Sequence, residues 1–195
     1  MTRARKQANS STGSIRIIGG SHRGRKLPVL NAEGLRPTTD RTKETLFNWL
    51  MLDVQGARCL DCFAGAGSLG FEALSRGATS VTFMELDKSA CKQLHANAAL
   101  LKYPQESARI LQGNTLDLLK NCSSKMDIIF IDPPFQQNLV QPCVALIHAK
   151  ELAKTGTKIY VEREINNSLM HVPDNWLLIK DKSTQQVSAQ LFIVE

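Results

Sequence analysis

Hydrophobic and polar positions change period several times along the chain, and each change marks an element. Ile15, Ile17 and Ile18 lead into Gly19-Gly20, and Leu27, Val29 and Leu30 follow a polar stretch from Ser21 to Lys26. Apolar runs on either side of a basic turn predict a β-hairpin over residues 14–30. Arg36-Pro37-Thr38-Thr39-Asp40 then offers turn and cap chemistry for a helix start. Leu46, Phe47, Leu50 and Met51 follow at helical spacing, with Arg41, Lys43 and Glu44 assigned to the polar side.

From Ala57 short apolar runs alternate with helical patterns. Strands are predicted at 57–62, 80–85, 108–112, 127–131 and 157–162, and helices at 69–76, 88–102, 116–121 and 138–153. Ile128-Ile129-Phe130-Ile131 has no polar alternation, as expected of a strand covered on both faces. From Trp176 two further strands, 177–181 and 187–194, flank the linker 182–186. Strand–helix alternation ending in a hairpin predicts an α/β fold: a doubly wound, mostly parallel sheet with a C-terminal antiparallel hairpin. The expected organisation is a basic flexible tail over 1–13, a small N-terminal β-hairpin extension over 14–34, and a Rossmann-like domain over 35–195.

Charge changes the picture at the N-terminus. The net charge is +6, yet the residues before Glu33 hold seven cations and no acid, so the rest is close to neutral. A basic arm on a near-neutral body suits a polyanionic partner, because phosphate neutralisation releases counterions. Arg16, Arg23, Arg25 and Lys26 are therefore candidate RNA contacts, joined by Arg36 and Arg41 at the following helix start. No apolar run approaches membrane-spanning length, and the start lacks the apolar core of a secretory signal. A cytoplasmic protein is expected, with no membrane association. The five cysteines, at 59, 62, 91, 122 and 143, form no disulfide framework, and the four histidines share no ligand spacing, so no metal is expected.

Two loops carry candidate chemistry. The first is Asp61-Cys62-Phe63-Ala64-Gly65-Ala66-Gly67, where a predicted strand meets a predicted helix. Glycines there permit backbone close to a ligand, as in dinucleotide folds. An acid before the glycines would repel a pyrophosphate and attract a ligand bearing an ammonium and a sulfonium. That sign favours S-adenosylmethionine over a nicotinamide dinucleotide. Asp61, Phe63, Ala64, Gly65 and Gly67 are the candidate cofactor loop. Glu85, ending the next strand, is placed for the two ribose hydroxyls, with Leu86 beside it. Asp87 is expected to cap the following helix. Asn114 and Thr115, after the third strand, fall by topology at the adenine end, where Asn114 could equally be a helix cap.

The second loop is Asp132-Pro133-Pro134-Phe135, delivered at the carboxyl end of the most apolar strand. Two prolines fix its shape and remove two donors, leaving the Asp132 carboxylate and the Pro133 carbonyl as acceptors. An aryl amine is a poor nucleophile because its lone pair is delocalised into the ring. Acceptors on its N–H bonds favour a pyramidal nitrogen and stabilise the positive charge that develops on methylation. Phe135 can stack on the base and hold it in line.

Taken together, Ile15-Arg16-Ile17-Ile18-Gly19-Gly20, Arg23-Gly24-Arg25, Leu35-Arg36-Pro37-Thr38-Thr39-Asp40-Arg41, Asp61-Cys62-Phe63-Ala64-Gly65 and Asp132-Pro133-Pro134-Phe135 resemble the bacterial RsmD family. The likeness runs over about residues 14–195. It implies a class I Rossmann-like methyltransferase acting on the exocyclic N2 of one guanine in 16S ribosomal RNA. The implied partner is the small ribosomal subunit or its assembly intermediate, approached by a monomer. It also implies that Thr38 and Arg41 approach the methionine end of the cofactor. The chain departs from the family pattern at Ser183-Thr184-Gln185-Gln186, where a glycine is expected, and at uncharged Asn114. Three rivals share parts of the pattern: an N6-adenine methyltransferase, a non-catalytic RNA-binding assembly factor, and a nicotinamide oxidoreductase. The chain has no room for the separate target-recognition domain of the first, the set Asp61, Glu85 and Asp132 disfavours the second, and Asp61 disfavours the third.

Overall fold

The structure, a computed structural model, describes residues 13–29, 40–165 and 170–195. Residues 1–12 of the tail expected over 1–13, and the candidates Arg36 and Thr38, lie outside the described residues, while Gly13 opens the first strand.

Strands β1 (Gly13–Arg16) and β2 (Lys26–Val29) form the predicted hairpin, with Ile15 opposite Leu27. A 3-10 turn, Gly20–His22, fills its tip. Helix α1 (Asp40–Trp49) follows. The body then alternates as β3 (Arg58–Asp61), α2 (Ser68–Ser75), β4 (Ser80–Glu85), α3 (Lys88–Leu100), β5 (Ala108–Gln112), α4 (Thr115–Lys120), β6 (Met126–Ile131), α5 (Val140–Ala149) and β7 (Ala153–Glu164). It closes with β8 (Trp176–Ser183) and β9 (Val187–Val194).

The seven-stranded sheet has the order β5-β4-β3-β6-β7-β9-β8. β3 to β7 are mutually parallel, and β9 runs antiparallel between β7 and β8. The chain leaves β3 towards β4 and β5, then returns to β6 on the other side. That reversal opens a crevice at the carboxyl ends of β3 and β6, where open α/β sheets bind ligands.

Each face of the sheet has its own core. One unites Phe47 of α1, Phe71 of α2, Leu94 of α3 and Phe130 of β6 with Ile15, Ile17, Leu27 and Val29 of the hairpin. The other packs Leu119 of α4 and Cys143, Val144 and Ile147 of α5 against Leu60, Ile129 and Ile131. Burying four aliphatic side chains, each contributing about 1.5–3 kcal/mol, makes the hairpin part of the main core. Cys59 belongs to the first core and Cys62 to the second, so these two cysteines face opposite sides of the sheet.

Several elements differ from expectation for local reasons. Met51 falls beyond α1 and is exposed. Lys43, assigned to the polar side, is buried with its Nζ donating to the Arg16 carbonyl at 2.5 Å. The helix predicted to reach Ala153 stops at Ala149, where Glu151 turns left-handed (φ 50°) and the Leu152 amide returns to the Ile147 carbonyl. β7 consequently starts at Ala153, before a register shift opposite Met126 and Ile128. The β8–β9 turn closes without a glycine. The Thr184 hydroxyl accepts the amide of Val187 at 3.0 Å, a side-chain turn in place of a left-handed residue.

Candidate active site

A cavity of about 1250 Å³ opens at the β3–β6 crevice. An ordinary small-molecule cleft spans ~300–1,000 Å³, so this one has room for a cofactor and a base together. Both sequence-predicted loops reach it. Phe63, Ala64 and Gly65 form one wall, and Asp132 to Phe135 another.

The glycine loop is built from below. Gly67 (φ 80°) precedes α2 in the left-handed region, and a Cβ there would meet Phe71 and Leu94. Gly70 lets α2 approach the sheet: its missing Cβ would sit 2.1 Å from the Phe83 ring. Asp61 and Gly67 are not on the cavity wall. Asp61 is buried beneath the loop, and its carboxylate accepts the Gly70 amide at 3.1 Å. The acid expected beside the ligand thus lies one layer behind the cavity wall and braces the turn. Burial pushes its pKa up to about 7, against the lowering effect of the Gly70 hydrogen bond.

Glu85 is held by two backbone donors. Its Oε2 accepts the Gly65 amide at 2.7 Å and its Oε1 the Asp87 amide at 2.7 Å. One carboxylate thus joins the glycine loop to the β4 turn and lines the cavity. Leu86 beside it is 66% exposed into this space, an apolar surface with no core partner to account for it. Asp87 caps α3, as expected, accepting the Ala90 amide at 2.8 Å. The Ser89 hydroxyl and that amide hold its carboxyl below the usual range. Asn114 caps α4 through Oδ1, which accepts the Leu116 amide at 2.9 Å, while the residue also lines the cavity. Thr115 lines it too, but its hydroxyl donates inward to the Cys62 carbonyl at 2.7 Å.

On the opposite wall Pro133 is buried, while Asp132 and Phe135 are half-buried. The loop beyond is tied to β7, because the Gln136 amide donates to Glu164 at 2.9 Å. Tyr160 and Glu162 of β7 complete this wall. The Tyr160 hydroxyl donates to Glu162 at 2.7 Å. Burial first, then the carboxylates of Glu162 and Asp132, push the phenol pKa well up, so it stays a donor. Sequence reasoning passed over both residues. The signal that selected Glu85, an acid ending an apolar parallel strand, also marks Glu162 at the end of the predicted strand 157–162.

The candidate RNA contacts divide. Arg23, Arg25 and Lys26 are exposed around the hairpin tip. Arg16 is paired with Asp40, Nη2 to Oδ2 at 2.5 Å. Arg41 lines the cavity mouth near Thr45, whose hydroxyl accepts from Lys182 Nζ at 3.0 Å. Strand β1 adds Ser14 and Ile15 to the cavity wall, so the hairpin borders the same space as the two loops. Among the described residues no cluster of three or more His, Cys, Asp or Glu could hold a metal, and no helix is long and apolar enough to cross a membrane.

Comparison with known proteins agrees with this architecture. Residues 15–193 match the model of the family described as conserved hypothetical protein 95. The chain is 50% identical over 188 residues to the ribosomal RNA small subunit methyltransferase D of Haemophilus influenzae, covering 95% of this chain and 97% of that one. It is 45% identical to the protein of that name from Escherichia coli K12, covering 96% and 94%. The solved structure of yhhF from Escherichia coli superposes with a TM-score of 0.87 at 46% identity, over 94% of this chain and 99% of that one. With a match across nearly its whole length and a site built from the loops described above, the chain belongs to the ribosomal RNA small subunit methyltransferase D family.

Proposed function

We propose that this protein transfers a methyl group from S-adenosylmethionine to the exocyclic N2 of one guanine in 16S ribosomal RNA. The observation that carries this reading is the shared cavity: an amine-accepting loop, Asp132 to Phe135, faces a nucleoside-type wall of Gly65, Glu85 and Leu86 across one space. The family relatives named as small-subunit RNA methyltransferases support the substrate class.

The residues fit the cofactor. Glu85 offers an oriented carboxylate to vicinal hydroxyls, Leu86 and Phe63 offer apolar contact to a flat base, and Asn114 stands by the edge of that base. The acids Glu85, Asp132 and Glu162 line the cavity, a setting suited to a cation. When bound, S-adenosylmethionine supplies an electrophilic methyl group on a positively charged sulfur.

The chain's own residues do the rest. The Asp132 carboxylate and the Pro133 carbonyl accept the two N–H bonds of the amine, favour its pyramidal form and stabilise the charge that grows on nitrogen. Phe135 stacks on the base, and the Gln136–Glu164 hydrogen bond ties the loop to β7, so orientation carries much of the rate. No strong base is needed before transfer, because the cationic product nitrogen loses its proton readily. The target base must first leave its stack. The basic hairpin, with Arg23, Arg25 and Lys26 outward and β1 on the cavity wall, docks the monomeric enzyme on the small subunit or its assembly intermediate in the cytoplasm.

Asp132→Ala tests the chemistry. Turnover is expected to fall by roughly 10²- to 10⁴-fold with cofactor affinity nearly unchanged, measured by single-turnover methyl transfer and by calorimetric titration. Near-normal turnover would remove Asp132 from the mechanism.

A further inference from the structure

The cavity has a cationic end that the amine chemistry above does not use, and strand register places it. Ile131 pairs with Val161 in the parallel β6–β7 ladder, so Asp132 and Glu162 come next at the two strand ends. Glu162 pairs with Ala189 across β7 and β9, and Ala189 pairs with Lys182 across β9 and β8. Cross-strand partners share a face of the sheet. Asp132, Glu162, Ala189 and Lys182 therefore form one row, and all four line the cavity. The row spans three strand spacings, about 14 Å between the backbones of Asp132 and Lys182.

Lysines on an edge strand often do no more than deter pairing with another chain. Lys182 differs in being drawn inward. Its Nζ donates to the Thr45 hydroxyl of α1 at 3.0 Å. That hydroxyl gives its own proton to the Arg41 carbonyl at 3.0 Å, so towards Lys182 it can only accept. The ammonium is thereby held at the cavity wall with further N–H donors to offer. Arg41 lies one turn before Thr45 on the same helix face and lines the same cavity. Among the described residues neither Arg41 nor Lys182 forms an ion pair.

Position along the sheet says which anion this end receives. The nucleoside-type wall of Gly65, Glu85 and Leu86 follows β3 and β4, and β6 separates those strands from β7, β9 and β8. Lys182 thus lies across the amine site from that wall. A nucleotide with its amine at Asp132 and its reacting face towards the cofactor extends its ribose and phosphates the other way. Its path crosses Ala189, whose methyl group leaves room for a sugar. Charge-assisted hydrogen bonds from Lys and Arg to phosphate are the stronger kind.

We propose that Lys182, positioned by Thr45 and with Arg41 as a second cation, binds an RNA phosphate flanking the target guanosine. This rests on the reading of the Asp132 loop as the amine site.

The test uses the full-length protein and small subunits reconstituted with 16S RNA. The phosphate on each side of the target guanosine is replaced in turn by an uncharged methylphosphonate. For the wild-type enzyme, one of the two replacements is expected to lower kcat/KM by about 10- to 100-fold. Lys182→Gln is expected to lose a similar factor on unmodified RNA and almost nothing more on that replaced RNA, because the partner is already gone. Its S-adenosylmethionine Kd, titrated without RNA, is expected to stay within about twofold of wild type. A structural defect would instead lower the rate on every RNA by the same factor. Losses that multiply at both phosphates would overturn the proposal, as would no wild-type loss from either replacement, or a Lys182→Gln enzyme with wild-type kcat/KM. A defect confined to the cofactor Kd would also overturn it, assigning Lys182 to the methionine carboxylate. Absence of methyl transfer by the wild-type enzyme would overturn the underlying reading, whereas transfer with multiplying losses overturns only the phosphate site.

Discussion

Asp61 holds the glycine turn together at a cost that depends on pH. Its carboxylate accepts the Gly70 amide, yet complete burial raises its pKa from 3.8 to about 7. The folded state therefore holds a proton that the unfolded chain releases near pH 4. The stabilising contribution is full below about pH 4 and is lost as pH rises through about 7. Asp61→Asn keeps an acceptor for Gly70 and abolishes the titration. It should be more stable than wild type at pH 8, by on the order of 2–4 kcal/mol, with the difference vanishing towards pH 4, as read from urea unfolding at a series of pH values. A constant difference across that range would show that Asp61 does not titrate there. At this scale the sequence was informative where chemistry has a fixed spacing. Asp132 to Phe135, Glu85 and Leu86 all reach the cavity. It was uninformative where burial depends on elements distant in the chain. Lys43 reads as a surface helix lysine, and only the approach of β1 puts it under cover.

At the level of elements, the hairpin is joined to α2 by a buried polar network. Glu72 has no solvent exposure; it accepts the Ile18 amide at 2.8 Å and the Arg76 guanidinium at 2.6 Å. Ser75 adds a hydroxyl bond to the Gly19 carbonyl at 2.6 Å and accepts the His22 amide at 2.9 Å. Glu72→Ala leaves a buried amide and a partly buried cation unpaired and should destabilise the protein by about 3–5 kcal/mol. Urea unfolding measures this, and a loss below 1 kcal/mol would mean that the hairpin docks through its apolar contacts alone. The hairpin itself was legible from its alternation, as were the β4 and β5 spans, because period and turn residues agree there. The end of α5 and the start of β7 were not. No glycine or proline marks the helix stop, which depends instead on a left-handed Glu151.

Across the whole molecule, the cations and the candidate cavity share a border. β1 contributes to the cavity wall while the tip of the hairpin carries Arg23, Arg25 and Lys26. Under the proposed function, a particle gripped by the tip would be presented to the Asp132 loop. Replacing these three cations with glutamine should weaken RNA binding and reduce the slope of log affinity against log salt by about 2–3. Arg16→Gln should change that slope little, because its guanidinium is already paired with Asp40. Filter binding across a salt series measures both, and an unaltered slope in the triple variant would mean that the tip is passive. The most direct test of the central claim is the product itself. Small subunits lacking the modification are incubated with radioactive S-adenosylmethionine and the purified protein, and the labelled nucleoside is identified. The expected result is N2-methylguanosine at a single position of the 16S RNA; label found only on adenine, or no transfer to the particle at all, would contradict the account.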